Sequence, residues 1–390
     1  MSLRILLLAP QPFFEIRGTP FAVLAMARAL TQLGHRVDLL SFPQGAAVDV
    51  EGLTHRRSLR LPVGHVRPGA SLAKLLLDIP FALEAWARMA FGGYDVVHAV
   101  EEAAFFAAPV ARTLGLPLVM DIDSSIPDQL RYSGFARRGP LPWLAERLER
   151  AAARGAASII TVCTSLTEGI RRYETSAEIF QIEDPPLVDP KQPPAAADVD
   201  ALRRELGLSS APVVFYSGNF EPYQGVPLLI EAVSMVAGVQ LLLMGGEPTE
   251  IETLRVACLR LGVDGRCCFS GKRPPELLPQ FLALADVVVS PRIQGQNTPF
   301  KIYTYLAAGR PLVATRIATH TQLLDDSLAV LTEPTAEALA AGIRIALDDP
   351  DASALRAQLG RALIEREYSA ARYAEKVAGA YAHIADRTTS

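Results

Sequence analysis
The segment "RILLLAP" near the start is a continuous apolar run, and the pattern changes period immediately after it. In "FAVLAMARALTQLG" apolar residues recur every three or four positions, the spacing of one helical face. "HRVDLLSF" is again a short apolar run. Strand, loop, helix, strand is the opening of a doubly wound parallel sheet. These runs do not alternate with polar residues, as expected of strands buried on both faces. "YDVVHAV", "PLVMDID" and "ASIITVCT" continue the set. Thr19 is placed as the first helix's cap, Pro20 at its first position and Gly34 at its end.

The segment "AEIFQIEDPPLVDPKQPPAAADVD" is rich in Pro, Ala and acids and reads as a join between domains. Beyond it the alternation restarts. "PVVFYSGNF", "VQLLLMGG", "RCCFSG", "DVVVSP" and "PLVAT" read as strands, with helices between them. The expected organisation is α/β, with two doubly wound, Rossmann-like domains facing a cleft. One covers 1–190, a linker 191–210, and the second domain 211–368. A final helix over 370–384, within a C-terminal segment 369–390, places Tyr373, Val377 and Tyr381 on one buried face and is expected to pack back on the first domain.

The length of 390 residues fits two domains, and a 50% hydrophobic content is ample for two cores. The net charge of -4 and the lack of a basic stripe exclude nucleic acid as a partner. Four cysteines without metal-ligand spacing read as reduced thiols of a cytoplasmic protein, with no metal and no cofactor implied. The apolar start is too short for a signal peptide, and no charge-free stretch reaches transmembrane length.

In such folds ligands bind at the carboxyl ends of the strands, where loops and helix N-termini converge. The loops to inspect carry Gly18 and Thr19, Glu101, and Asp123 in the first half. In the second half they carry Gly218 to Gly225, Gly245, Lys272, and "QGQNTPFK". The last of these is informative. Thr298 is placed as a helix cap and Pro299 at the first position, so Lys301 falls in the first turn. A cation is unfavourable at that positive end unless an anion sits beside it. The expected anion is a ligand phosphate.

The order "YSGNFEPYQGVPLLIEAV", "LLLMGG", "CCFSGKRPPELLPQFLALADVVVSP" and "PFKIYTYLAAGRPLVAT" resembles the donor half of family-four (group 1) glycosyltransferases with the GT-B fold. "GTPFAVLAMARALTQLGHRVDLLS" and "YDVVHAV" resemble their acceptor half. The resemblance implies transfer of a sugar from a nucleotide-sugar donor to a glycan or lipid-linked acceptor, with retention and without a required metal. It assigns the donor to Gly218, Asn219, Gln224, Gly245, Lys272, Gln296, Asn297, Thr298 and Thr304. The acceptor goes to Gly18, Thr19, His98 and Glu101, and Asp123 and Lys301 take catalytic roles. This chain departs from the family at several of these places. Asn219 and Gln224 stand where an arginine and a lysine usually touch the diphosphate. Gln296 and Thr304 stand where two glutamates usually touch sugar and ribose, and Asp123 replaces an acceptor-side histidine.

Those departures keep two competitors open: a sugar-nucleotide epimerase of the same fold, and a catalytically impaired scaffold or regulatory protein. Plainer readings also stand beside the site residues. Lys301 fits an edge lysine reaching solvent, Asp123 a turn residue, His98 a satisfied core histidine and Glu101 a solvated helix start. "SLAKLLLDIPFALEAWARMAF" reads as a mostly core-facing helix. It and "FARRGPLPWLAERLERAAARG" allow a peripheral contact with the inner face of a membrane.

Overall fold
The computed structural model describes residues 2–62, 72–132 and 139–389. The chain forms two compact units, 1–184 with 371–390, and 185–370.

The first unit begins with β1 (Arg4–Pro12), α1 (Gly18–Gln32), β2 (Arg36–Phe42), β3 (Leu53–Arg57), α2 (Leu72–Phe91), β4 (Val96–Val100) and α3 (Ala103–Leu114). It continues with β5 (Leu118–Ile122), α4 (Ile126–Tyr132), α5 (Leu141–Gly155), β6 (Ser158–Thr161), α6 (Thr164–Arg171) and β7 (Glu178–Gln181). The second unit contains α7 (Ala196–Glu205), β8 (Val213–Ser217), α8 (Val226–Ser234), β9 (Gln240–Met244), α9 (Pro248–Leu261), β10 (Cys267–Gly271) and α10 (Leu278–Leu284). After these come β11 (Val287–Ser290), α11 (Phe300–Ala307), β12 (Leu312–Thr315), α12 (Ala318–Thr321), β13 (Val330–Thr332), α13 (Ala336–Asp348) and α14 (Pro350–Leu363). α15 (Ala370–Thr389) then returns to the first unit.

Both sheets are parallel. Their orders are β3-β2-β1-β4-β5-β6-β7 and β10-β9-β8-β11-β12-β13. Strand order reverses between β1 and β4 in the first and between β8 and β11 in the second. These switch points open a crevice at the strand ends. Each sheet is covered on both faces. Val377, Tyr381 and Ile384 of α15 join Leu7, Leu39 and Leu30 in one core of the first unit. Cys267 and Cys268 point to opposite faces of β10, into different cores, and all four cysteines are free thiols.

Some local expectations need correction. α1 starts at Gly18, with Arg17 extended at its cap (φ -147°, ψ 164°), so Thr19 lies in the first turn and caps nothing. α11 starts at Phe300 after an extended Pro299, and the Thr298 hydroxyl does not cap it. In α11 the shift of one residue follows from proline fixing φ while leaving ψ extended (Pro299 φ -64°, ψ 131°). Gly34, directly after α1's cap residue, has φ 84°, as a terminating glycine should. Residues 196–205, inside the expected linker, form α7, whose Leu202 is buried in the second unit's core. α2 buries Leu77, Phe81, Ala85 and Met89 but leaves an apolar face outside, so it is not mostly core-facing. Of the arginine-rich run at 135–155, residues 135–138 lie outside the described residues.

Candidate functional site
At the second unit's switch point the turn after β8 meets the segment after β11. Gly218 has φ 141°, and its N–H donates to Met244 O at 3.0 Å. A Cβ at Gly218 would lie 2.9 Å from Lys301 Nζ, and one at Gly245 only 1.9 Å from Gly218 O. The glycines therefore let the lysine and two backbones close on one point.

Lys301 is partly buried. Its ammonium donates to Gln224 Oε1 at 3.0 Å and sits 3.9 Å from the centre of the Tyr216 ring. No carboxylate pairs with it among the described residues. Burial, and then the charge of Arg292, push its pKa well below 10.5. The cation anticipated at this helix start thus exists without an anion. Asn219 holds the turn by accepting from Glu221 N–H at 3.4 Å, and its carbonyl accepts from Tyr216 O–H at 2.7 Å.

Arg292 is a residue the sequence reasoning missed. It donates to Gln294 O at 2.7 Å, Asn297 O at 3.1 Å and Asn297 Oδ1 at 3.1 Å, and it lies 5.2 Å from the Tyr223 ring. It thereby orders the loop that carries Gln296 and Thr298. Only its place directly after a predicted strand could have signalled this. Gln296 offers its carbonyl to Gln322 Nε2 at 2.9 Å, and Thr298 is buried. Two other residues assigned to the donor stand apart. Lys272 pairs with Glu247 at the surface. The buried Thr304 hydroxyl accepts from Leu187 N–H at 3.1 Å.

At the first unit's switch point the side chains are acidic. His98 is fully buried: Nε2 meets Asp121 Oδ2 at 2.9 Å and Nδ1 meets Tyr381 O–H at 2.7 Å. Both ring nitrogens are engaged, which is the satisfied-core arrangement. Glu101 has φ 51°, a strained backbone for a non-glycine residue, and accepts from Ser124 O–H, which in turn accepts from Gln129. Burial, partly offset by Lys74 and reinforced by Glu102, pushes Glu101 up to about 7. Lys74 itself pairs with Glu102 at 2.5 Å. Asp123 follows the end of β5 and is buried. Burial, then Asp121, Asp184 and Glu101, hold its carboxyl well above the ordinary value. Asp184, a residue the sequence reading left in the join, is pushed to about 8 by burial and by Asp121 and Glu183. Gly18 and Thr19 open α1 after β1.

A cationic crevice and an acidic one, each at a sheet switch point, define a GT-B-type transferase built from two Rossmann-like halves. Residues 17–180 match the family described as glycosyl transferase 4-like domain, and residues 211–349 match glycosyl transferases group 1. The chain belongs to the group 1 glycosyltransferases and is a glycosyltransferase. An alpha-D-kanosaminyltransferase of Streptomyces kanamyceticus is 26% identical over 298 residues, covering 72% of this chain and 74% of the relative. The sucrose-phosphate synthase of Thermosynechococcus elongatus superposes with a TM-score of 0.80 at 20% identity, covering 99% of this chain and all of that one. HepE of Anabaena, solved in complex with UDP-glucose, gives 0.78 at 19% identity over 98% of this chain and all of that one. Both structures share the fold.

Proposed function
We propose that the protein transfers a sugar, with retention, from a nucleoside diphosphate sugar to a glycan or lipid-linked acceptor. The observation that carries the reading is the Lys301 ammonium, held beside the Gly218 turn with no carboxylate partner. A diphosphate would supply the missing charge. Arg292 adds positive potential, so the reading needs no metal to offset the phosphates. HepE's complex with UDP-glucose supports a nucleotide-sugar donor in this fold. The acceptor belongs to the first unit's crevice, where Asp123, Glu101 and the first turn of α1 lie.

In the proposed step the acceptor hydroxyl bonds to the anomeric carbon as the bond to the phosphate oxygen breaks. The hydroxyl proton passes to that oxygen. Asp123 orients the hydroxyl, its carboxyl held well above the ordinary value by burial and by Asp121, Asp184 and Glu101. A lipid-linked acceptor would bring the enzyme to the inner face of a membrane as a peripheral protein.

Titration of wild type and Lys301→Ala with a panel of nucleotide sugars and nucleoside diphosphates tests the donor half. The variant should bind about 1.5–3 kcal/mol more weakly, the usual value of a charged hydrogen bond. Equal affinity in both proteins would remove the phosphate role.

A further inference from the structure
We propose that the outward face of α2 and α5 is a docking surface for an anionic lipid bilayer. The clause of the preceding reading that concerns a lipid-linked acceptor gives this surface its purpose, but its binding stands on separate observations.

α2 is apolar on two sides. One side enters the core through Leu77, Phe81, Ala85 and Met89. The other exposes Leu75 and the adjacent Leu76, then Ile79, Leu83 and Trp86 at three- or four-residue intervals, with Ile79 at 61% exposure. No charged residue of α2 is exposed. Lys74, Asp78, Glu84 and Arg88 are partly buried along its flanks, where Lys74 pairs with Glu102 and Glu84 with Arg88. A soluble helix normally turns its charges outward. Here Lys74, Glu84 and Arg88 are paired sideways, Asp78 is half-buried, and the outer face is left apolar.

α5 differs in a way that identifies the occupant. Leu141, Trp143, Leu144 and Leu148 are exposed, Trp143 by 58%. Arg147 lies 4.8 Å over the Trp143 ring and has no carboxylate partner among the described residues. The helix's acids are neutralised or hidden: Glu146 pairs with Arg131 and Arg150, and Glu149 is buried against Tyr173 O–H. α3, which packs between α2 and α5, exposes Arg112, also without a carboxylate partner among the described residues. Trp86 Nε1 donates to Phe106 O at 2.9 Å and ties α2 to α3. Apolar side chains, indoles at their edge and arginines left unpaired match the interface of a bilayer that carries anionic headgroups. A second copy docking through the same face would need carboxylates opposite those arginines, and Glu146 of α5 is already paired with Arg131 and Arg150.

The test is flotation of the full chain with phosphatidylcholine vesicles, alone or mixed with phosphatidylglycerol, at low and high salt. The protein should float with the mixed vesicles at low salt and bind the neutral ones much more weakly. Ile79→Gln with Leu83→Gln should lower vesicle affinity at least about tenfold, and Trp143→Ala with Arg147→Gln should lower both affinity and salt sensitivity. All four positions are exposed, so circular dichroism and nucleoside diphosphate binding should match wild type. Failure of wild type to float with any vesicle overturns the proposal, as does undiminished flotation of both variants. A concentration-dependent dimer in solution, abolished by the α2 variant, overturns it in favour of a second copy. None of these outcomes depends on whether Lys301 binds phosphate.

Discussion
At the scale of single residues the two crevices invert ordinary titration. Burial and the charge of Arg292 push the Lys301 pKa well down. An anion beside it favours the charged form, so donor binding should take up a proton wherever the pH lies above the free protein's Lys301 pKa. Donor affinity should therefore fall as pH rises above the free protein's Lys301 pKa, by up to tenfold per pH unit. Calorimetric titration in buffers of different ionisation enthalpy should show proton uptake in wild type and none in Lys301→Ala. Asp123 is displaced the other way. If it works as a protonated carboxyl, Asp123→Asn keeps turnover within a few-fold at neutral pH, while Asp123→Ala loses at least about tenfold, the low end of acid–base assistance. Equal losses in kcat for both variants would mean that the ionised carboxylate is the working form.

Secondary elements show why some of this could be read from the sequence. Short apolar runs bounded by turn residues, such as "RILLLAP" and "VQLLLMGG", fit strands of a covered sheet, and they became β1 and β9. β3 has only partly buried or exposed positions, β13 has three residues, and β7 has no fully buried one, so none carries a periodic signal. The placement of Lys301 in a helix's first turn was legible, and it drew notice because a cation there conflicts with the local field. Arg292, Asp184 and Lys74 were not legible, because their partners come from distant segments or from backbone carbonyls. The caps at Thr19 and Thr298 failed in opposite directions: α1 begins upstream at Gly18, so Thr19 lies inside its first turn, and α11 begins downstream at Phe300, after an extended Pro299. Turn geometry is also decisive at this scale. Gly225 has φ 72°, and a Cβ there would lie 2.0 Å from Pro291 O. Gly225→Ala must push the turn after β8 away from the segment after β11. It should cost about 2–3 kcal/mol of stability and weaken nucleoside diphosphate binding, read by melting and titration.

Across the whole molecule, proton balance sets a stability profile. In the first unit Glu101 and Glu149 are pushed up to about 7, and Asp78 and Asp184 to about 8, each chiefly by burial. Their unfolded values are those of ordinary carboxyls, near 4. Between these limits the folded state binds more protons than the unfolded state, so stability falls as pH rises from about 4 to about 8. Lys301 acts oppositely in the second unit, because there the unfolded state holds the extra proton. The melting temperature of the first unit should be higher at pH 5.5 than at pH 8.5. Glu149→Gln keeps an acceptor for Tyr173 O–H and should flatten that fall by on the order of 2 kcal/mol. An unchanged slope would show that Glu149 does not carry it.

The return of α15 to the first unit has a consequence for biosynthesis. Tyr381, which closes the hydrogen-bond chain through His98 to Asp121, is joined to the chain only after every residue of 185–370 has been made. On the ribosome every residue of the second unit is therefore present before the first is complete, and until α15 arrives the first has a gap in its core and an unpartnered imidazole nitrogen. During that interval the first unit is the part of the nascent chain exposed to chaperones and proteases. A frameshift or nonsense codon between residues 371 and 381 would strip Tyr381 and Ile384 from the core of the half of the enzyme encoded farthest from it.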